Sequence, residues 1–261
     1  GAASWLHELG DAPVYTLRSF DDEQVRAFVA AWHEQAFSVR PEAGRQRSQR
    51  LAKALSEDHA LRELCRNPLM LCLVSLVNRG EHLPRRRHKV LERAVELMVS
   101  QWEDSKRSDE GSKPPSEMPQ FKKEEKINFL RHLAWDLLCG RLPSSAGSQI
   151  YYEDLMSFAR SFGRDQRRLP EDELQEYAVQ IVGHLERRSA ILEQVDDTHY
   201  GFVHQAFPAF LAAQVLSRCP RSQQEEYFCD RWAVDSWREV LTCCCGLLGE
   251  DRPDRVWTLL I

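Results

Sequence analysis

The chain lacks any stretch long enough to make a membrane helix. Its longest apolar run, "LMLCLVSLV", has nine residues, against the roughly 18 or more that a bilayer span needs. No basic, apolar leader opens it, so no signal peptide is expected. None of its 12 glycines precedes a lysine, which excludes a GxxxxGK[ST] phosphate loop within the chain. GxGxxG, GxSxG and HExxH are missing too. Its eight cysteines, Cys65, Cys72, Cys139, Cys219, Cys229 and Cys243 to Cys245, contain no CxxC pair, so the usual zinc frameworks are excluded. Three consecutive cysteines on a helix point about 100° apart and cannot close on one metal. Most of the thiols lie in apolar helical patterns, where buried, reduced cysteine is the expectation, and that fits an intracellular compartment. The net charge of −5 is too mild to call for nucleic acid or an anionic membrane. What remains is 43% hydrophobic and 29% charged, the composition of a folded globular protein.

Helical periodicity dominates what is present. "PVYTLRSF" (13–20) alternates apolar and polar and predicts a short strand. A helix then starts at Asp21 and Asp22, with Val25, Phe28, Val29 and Trp32 as its apolar stripe. "RPEAGRQRSQR" (40–50) reads as a basic loop. "SQRLAKALSEDHALRELC" reads as one or two short helices with a break between Ser56 and His59. "RNPLMLCLVSLVNRG" (66–80) is nearly apolar all round, with Pro68 in its first turn and Gly80 at its end. Such a helix is expected to be buried on every side. Residues 83–104 form another helix with Val90, Ala94, Leu97, Met98 and Trp102 on one face. "SKRSDEGSKPPSEMP" (105–119) is polar and proline-rich, and reads as a linker.

Beyond it lie three helices (122–140, 151–163, 170–189), a β-hairpin around "DDTH" (190–204) and a helix (205–217). That order is a winged-helix arrangement. The tail, 219–261, is helical again around "SWREVLTCCCGLL" and reads as the start of a helical array. The fold class is therefore mainly α: a helical bundle, a winged-helix domain with one β-hairpin, and the start of an α-helical array. A winged helix invites a DNA-binding reading through its third helix. That helix carries Glu171, Asp172, Glu173, Glu176 and Glu186 against Arg187 and Arg188, and phosphates would be repelled by most of its surface.

The order of motifs is more specific than any one of them. "RNPLMLCLVSLVNRGEHLPRRRHKVLERAVELMVSQW" resembles the helical segment after the nucleotide-binding core of NACHT-type signalling NTPases, a branch of the STAND class. "LERRSAILEQVDDTHYGFVHQAFPAFLAAQVL" resembles the end of the same family's winged helix, with Pro208 standing where the family usually has Glu. "PVYTLRSFDDEQVRAFVAAWHEQ" is similar to the last strand of the nucleotide-binding core and the helix after it. The resemblance covers about residues 13–217. It implies residues 1–20 as the end of the nucleotide-binding core, 21–104 as a helical domain, 105–119 as linker, 120–218 as winged helix and 219–261 as the start of a helical sensor region. The phosphate loop, magnesium-binding acids and sensor arginine would precede residue 1. The chain itself would then be no enzyme, while its parent would be an ATPase.

The resemblance also implies two nucleotide-facing residues. Pro68 matches the proline that packs near adenine and ribose. His204 matches the winged-helix histidine that reaches the β-phosphate of ADP. The cofactor implied is ADP or ATP in the parent, with none held tightly by this chain alone and no metal site. The partners implied are the preceding nucleotide-binding domain, the following helical repeats and, on activation, further copies of the protein. A cytoplasmic switch in defence or innate immune signalling is the function implied. Two other readings compete. One is a helical scaffold that binds protein partners without nucleotide. The other is a winged helix that binds DNA.

Overall fold

The computed structural model describes residues 18–80, 83–84, 86–105, 121–145, 147–187 and 189–251. The chain divides into two compact units, with the division at Ala94 and Val95. The expected linker at 105–119 and most of the expected strand at 13–20 lie outside the described residues. Arg18 to Phe20 form neither helix nor strand.

The first unit is a helical bundle of α1 (Asp22–Ala36), α2 (Pro41–Glu57), α3 (His59–Cys65), α4 (Pro68–Gly80) and the first half of α5 (Arg87–Ser105). A capping box opens α1. Asp21 Oδ1 accepts from the Gln24 N–H at 2.8 Å, and Gln24 Oε1 accepts from the Asp21 N–H at 3.0 Å. The basic stretch 40–50 is not a loop, since helix α2 runs from Pro41. Proline suits the first helical position, the Glu42–Arg45 pair at 2.6 Å spans one turn, and one face of the helix is buried at Gly44, Leu51 and Leu55. Gly44 matters here because a Cβ in its place would lie 2.9 Å from the His33 carbonyl oxygen on α1. The expected break between α2 and α3 is present. Asp58 caps α3 by accepting from the Leu61 N–H at 3.0 Å.

Three helices of this unit meet over one buried polar network. His33 Nδ1 donates to the Val29 carbonyl at 2.8 Å, and its Nε2 accepts from Asn78 Nδ2 at 2.9 Å. Asn78 Nδ2 also donates to the Arg47 carbonyl, while Arg47 donates to the Asn78 carbonyl. Burial holds the His33 imidazole below its ordinary pKa, so the neutral ring can accept. Helix α4 buries Met70, Leu71, Leu73, Val74 and Val77. It is not buried on every side, however. Its neighbours α1, α2 and α3 cover one flank, and Pro68 and Leu69 at its start are exposed.

The second unit takes the remainder of α5, then α6 (Lys123–Leu138), β1 (Gln149–Tyr151), α7 (Tyr152–Arg167), α8 (Glu171–Arg187), β2 (Leu192–Gln194), β3 (His199–Phe202), α9 (Ala206–Leu216), α10 (Arg221–Arg231) and α11 (Asp235–Asp251). The hairpin pairs Leu192 with Phe202 and Gln194 with Tyr200. Its turn is fixed by Asp196, whose carboxylate accepts from the N–H groups of Thr198 and His199. Those hydrogen bonds, with one from the His199 ring, hold the carboxyl down at about 2. A third strand, β1, pairs with the other edge of β3, so the single hairpin expected is a three-stranded sheet in the order β1-β3-β2. Asp154 prepares that strand. It accepts from the Ser144 N–H and the Ser145 hydroxyl at 2.8 Å each, and the same hydroxyl accepts from the Tyr151 N–H at 2.9 Å.

Helices α7 and α8 pack against this sheet and α6 packs on α7, with α9 lying between α6 and α11. Close approach of α7 and α8 depends on Gly163, where a Cβ would lie 2.8 Å from the Tyr177 ring. Lys126 on α6 has no exposed surface. Its ammonium donates to the Val99 carbonyl of α5 at 2.9 Å and lies 3.3 Å from His184 Nε2 of α8. Trp135, Tyr227 and Trp237 cluster, with Tyr227 stacked on Trp237 and Trp135 edge-on to Trp237, and join α10 and α11 to α6.

Candidate functional site

Pro68 is the first residue of α4, and His204 lies two residues before the first residue of α9. The first lies in the first unit and the second in the second unit. Pro68 is exposed. Its missing N–H falls among the first-turn donors that have no partner within the helix. The residue before it, Asn67, was not singled out by sequence. Its Oδ1 caps α4 by accepting from the Met70 N–H at 3.2 Å, and its carbonyl accepts from the Leu71 N–H at 2.9 Å. An Asn-Pro pair ahead of an apolar run is the signal that could have found it.

His204 is half-buried where β3 turns into α9. Its Nδ1 accepts from the Ala206 N–H at 3.1 Å, and its carbonyl accepts from the Phe207 N–H at 3.1 Å. The Phe207 ring stands edge-on to the imidazole, 6.2 Å away. An imidazole thus fills the role usually given to Ser, Asp or Asn at a helix start. The bond has a chemical consequence. Nδ1 can accept only without a proton, so the neutral ring carries its proton on Nε2, which is then a donor. Pro208 follows in the first turn of α9, where its missing N–H costs no helical bond.

Two clefts lie among the described residues, and neither contains Pro68 or His204. One, of about 630 Å³, lies between α1 and α2 and is lined by His33, Glu34, Ser38, Gly44, Arg45 and Ser48 among others. The other, of about 570 Å³, lies between α6 and α7 beside Lys122, Asn128, Arg131, Phe162 and Arg167. Among the described residues no group of three or more His, Cys, Asp or Glu could hold a metal ion. No described helix is long and apolar enough to cross a membrane. Two of the buried thiols are unreactive as placed. Burial pushes Cys65 up to about 12 and Cys244 higher still, so both stay protonated. The outward face of α8 carries Asp172, Glu173 and Glu176 around the half-exposed Val179, which is a poor surface for DNA.

A family model described as a winged helix-turn-helix domain C-terminal to NACHT matches residues 87–216. Residues 87–216 belong to this family, which makes the chain a NACHT-type one. The match starts at the first residue of α5 and ends at the last residue of α9. It therefore takes in the sheet, the helices around it and His204. This NACHT-associated winged helix is a non-catalytic region. No curated protein matches the chain.

Proposed function

We propose that this region is the regulatory lid of a NACHT-type ATP/ADP-controlled switch. It closes over nucleotide held by a preceding nucleotide-binding domain, and its rearrangement permits exchange and oligomerisation. The observation that carries this reading is the His204 geometry. Helix α9 uses Nδ1 for its own start, which fixes the proton on Nε2 and makes that nitrogen a hydrogen-bond donor. A donor at this point in a NACHT-associated winged helix suits a phosphate oxygen of ADP. Pro68 offers an exposed ring face for the adenine and ribose. The whole protein then acts in the cytoplasm, in defence or innate immune signalling, with its nucleotide-binding core and helical repeats as partners.

The magnitudes define what His204 does in this scheme. A hydrogen bond to a charged group contributes about 1.5–3 kcal/mol, roughly ten- to a hundredfold in affinity. Turning a switch from almost wholly closed to almost wholly open takes about 5.5 kcal/mol. His204 therefore biases the equilibrium and acts with other contacts between the domains. The test is ADP affinity in the longer protein that includes the nucleotide-binding domain. His204→Asn keeps an acceptor near the Ala206 N–H but is too short to reach a phosphate. It is expected to weaken ADP about tenfold or more, and unchanged affinity would overturn the reading.

A protein-binding scaffold is the second reading. Trp232, 73% exposed at the turn between α10 and α11, favours it. The same titration decides between them, since a scaffold would be indifferent to His204.

A further inference from the structure

Helix α9 is held at both ends by side chains from outside it. At its start stands His204. At its end stands Gln224 of α10, which has no exposed surface. The Gln224 amide Nε2 lies 3.1 Å from the Leu216 carbonyl and 3.0 Å from those of Ser217 and Cys219. Its two hydrogens are shared among three carbonyls at the end of α9 and in the turn after it, of which Leu216 also accepts from the Cys219 N–H. The Gln224 Oε1 is buried and has no partner among the described residues. A buried amide with one end wasted is costly. The donor end is therefore what this position requires.

The helix between these ends is stiff. Residues 206–214 and 216 are all buried, so α9 cannot bend without opening the core. Apolar packing alone leaves rotation about the axis weakly specified. A polar tie supplies it, since Arg131 Nε of α6 donates to Gln214 Oε1 at 2.7 Å. The 11 residues of α9 span about 16 Å. A displacement of α10 reaches one end of this rod through Gln224 and the other end at His204.

We infer that Gln224 is a positioning residue that couples the helical region after the winged helix to the His204 end of α9. Movement of α10 and α11 is thereby passed along α9 to the imidazole. The coupling is a property of the fold, and its use in nucleotide control rests on the switch reading above.

The test needs no nucleotide. In the 261-residue chain, Gln224→Met keeps the length and removes the donors. Phe228→Leu trims a buried apolar side chain of the same helix and leaves the cap alone. Gln224→Met is expected to speed hydrogen exchange at the Ala206 amide about fivefold and to move the His204 ring resonances. Phe228→Leu should do neither. No effect of Gln224→Met at Ala206 and His204, or equal effects of the two variants, would overturn the coupling. Should Gln224→Met fail to fold, Gln224→Lys and Gln224→Glu give the same decision. The ammonium still donates to the carbonyls and is favoured at a helix C-terminus, whereas the carboxylate cannot donate. Lysine must then keep slow exchange at Ala206 and glutamate must lose it. If the coupling holds while His204→Asn leaves ADP affinity unchanged in the longer protein, the rod stands and the nucleotide reading falls.

Discussion

Helices α4 and α9 are the two most apolar stretches of the chain, and each begins beside a candidate nucleotide-facing residue. They are built differently. Helix α4 keeps one flank open, with Pro68 exposed and Leu69 37% exposed. Its start is capped locally by Asn67. Helix α9 is buried on almost every side and is fastened at both ends by His204 and Gln224. Apolar composition alone therefore does not say where a helix sits. What separates the two is how closely their neighbours pack on them, since α6 and α11 lie tightly against α9 while α1, α2 and α3 touch α4 more lightly, and that belongs to the tertiary fold. The consequence for function is that Pro68 can be spared by the fold, whereas His204 also has a structural task.

The largest expected effect tests the burial difference itself. Phe210 on α9 is 1% exposed, and Phe210→Ala should cost about 3–5 kcal/mol through lost contacts and a residual cavity. Leu69→Ala on α4 should cost about 1 kcal/mol, because more than a third of that residue is already in reach of water. Urea unfolding followed by both fluorescence and circular dichroism would measure this, since the two units need not unfold together. Equal losses would mean that α4 is covered as α9 is, and the contrast would disappear.

Much of this was legible in the sequence, and the parts that were not have physical reasons. Helices α6, α7 and α8 of the winged unit were visible because each opens with an acidic first turn ahead of recurring apolar positions, and α9 because it is an almost unbroken apolar run. The hairpin was visible because "DDTH" is a turn, and Asp196 does close it. Strand β1 was missed because three residues show no periodicity. It exists because β3 offers an edge and Asp154 holds the loop before it. The stretch 40–50 was misread because its charge hides Gly44, whose role shows only when α1 lies against it. Burial of α4 was overestimated for the same kind of reason. At the site, His204 was found through its motif, and its tautomer required coordinates. Asn67 was overlooked although Asn before Pro is a usual helix start. Gln224 carried no signal at all, since a glutamine in a charged helix reads as a surface residue.

A smaller effect probes the cap on α9. His204→Ala removes the acceptor for the Ala206 N–H and should lower stability by about 1 kcal/mol. His204→Asn should recover part of that loss, because asparagine is a strong capping residue. The urea midpoint, at an unchanged slope, is the readout. If alanine and asparagine destabilise alike, the imidazole is kept for its ring packing against Phe207 and the cap is incidental.

The smallest effect is expected at Pro68. Replacing it with alanine leaves the Asn67 cap and the α4 core in place. The main change is in the unfolded chain, which gains freedom and costs the fold about 0.4–1 kcal/mol. Thermal unfolding of the 261-residue chain would show that small shift. A residue whose removal barely touches stability has little structural reason to be proline, because alanine is also a good first-turn residue. Loss of ADP affinity in the longer protein, out of proportion to the stability change, would then place Pro68 against the nucleotide. A stability loss of several kcal/mol would instead mean that α4 depends on this proline for its position. The two helix starts would then be alike after all, and neither could be read as spared for a ligand.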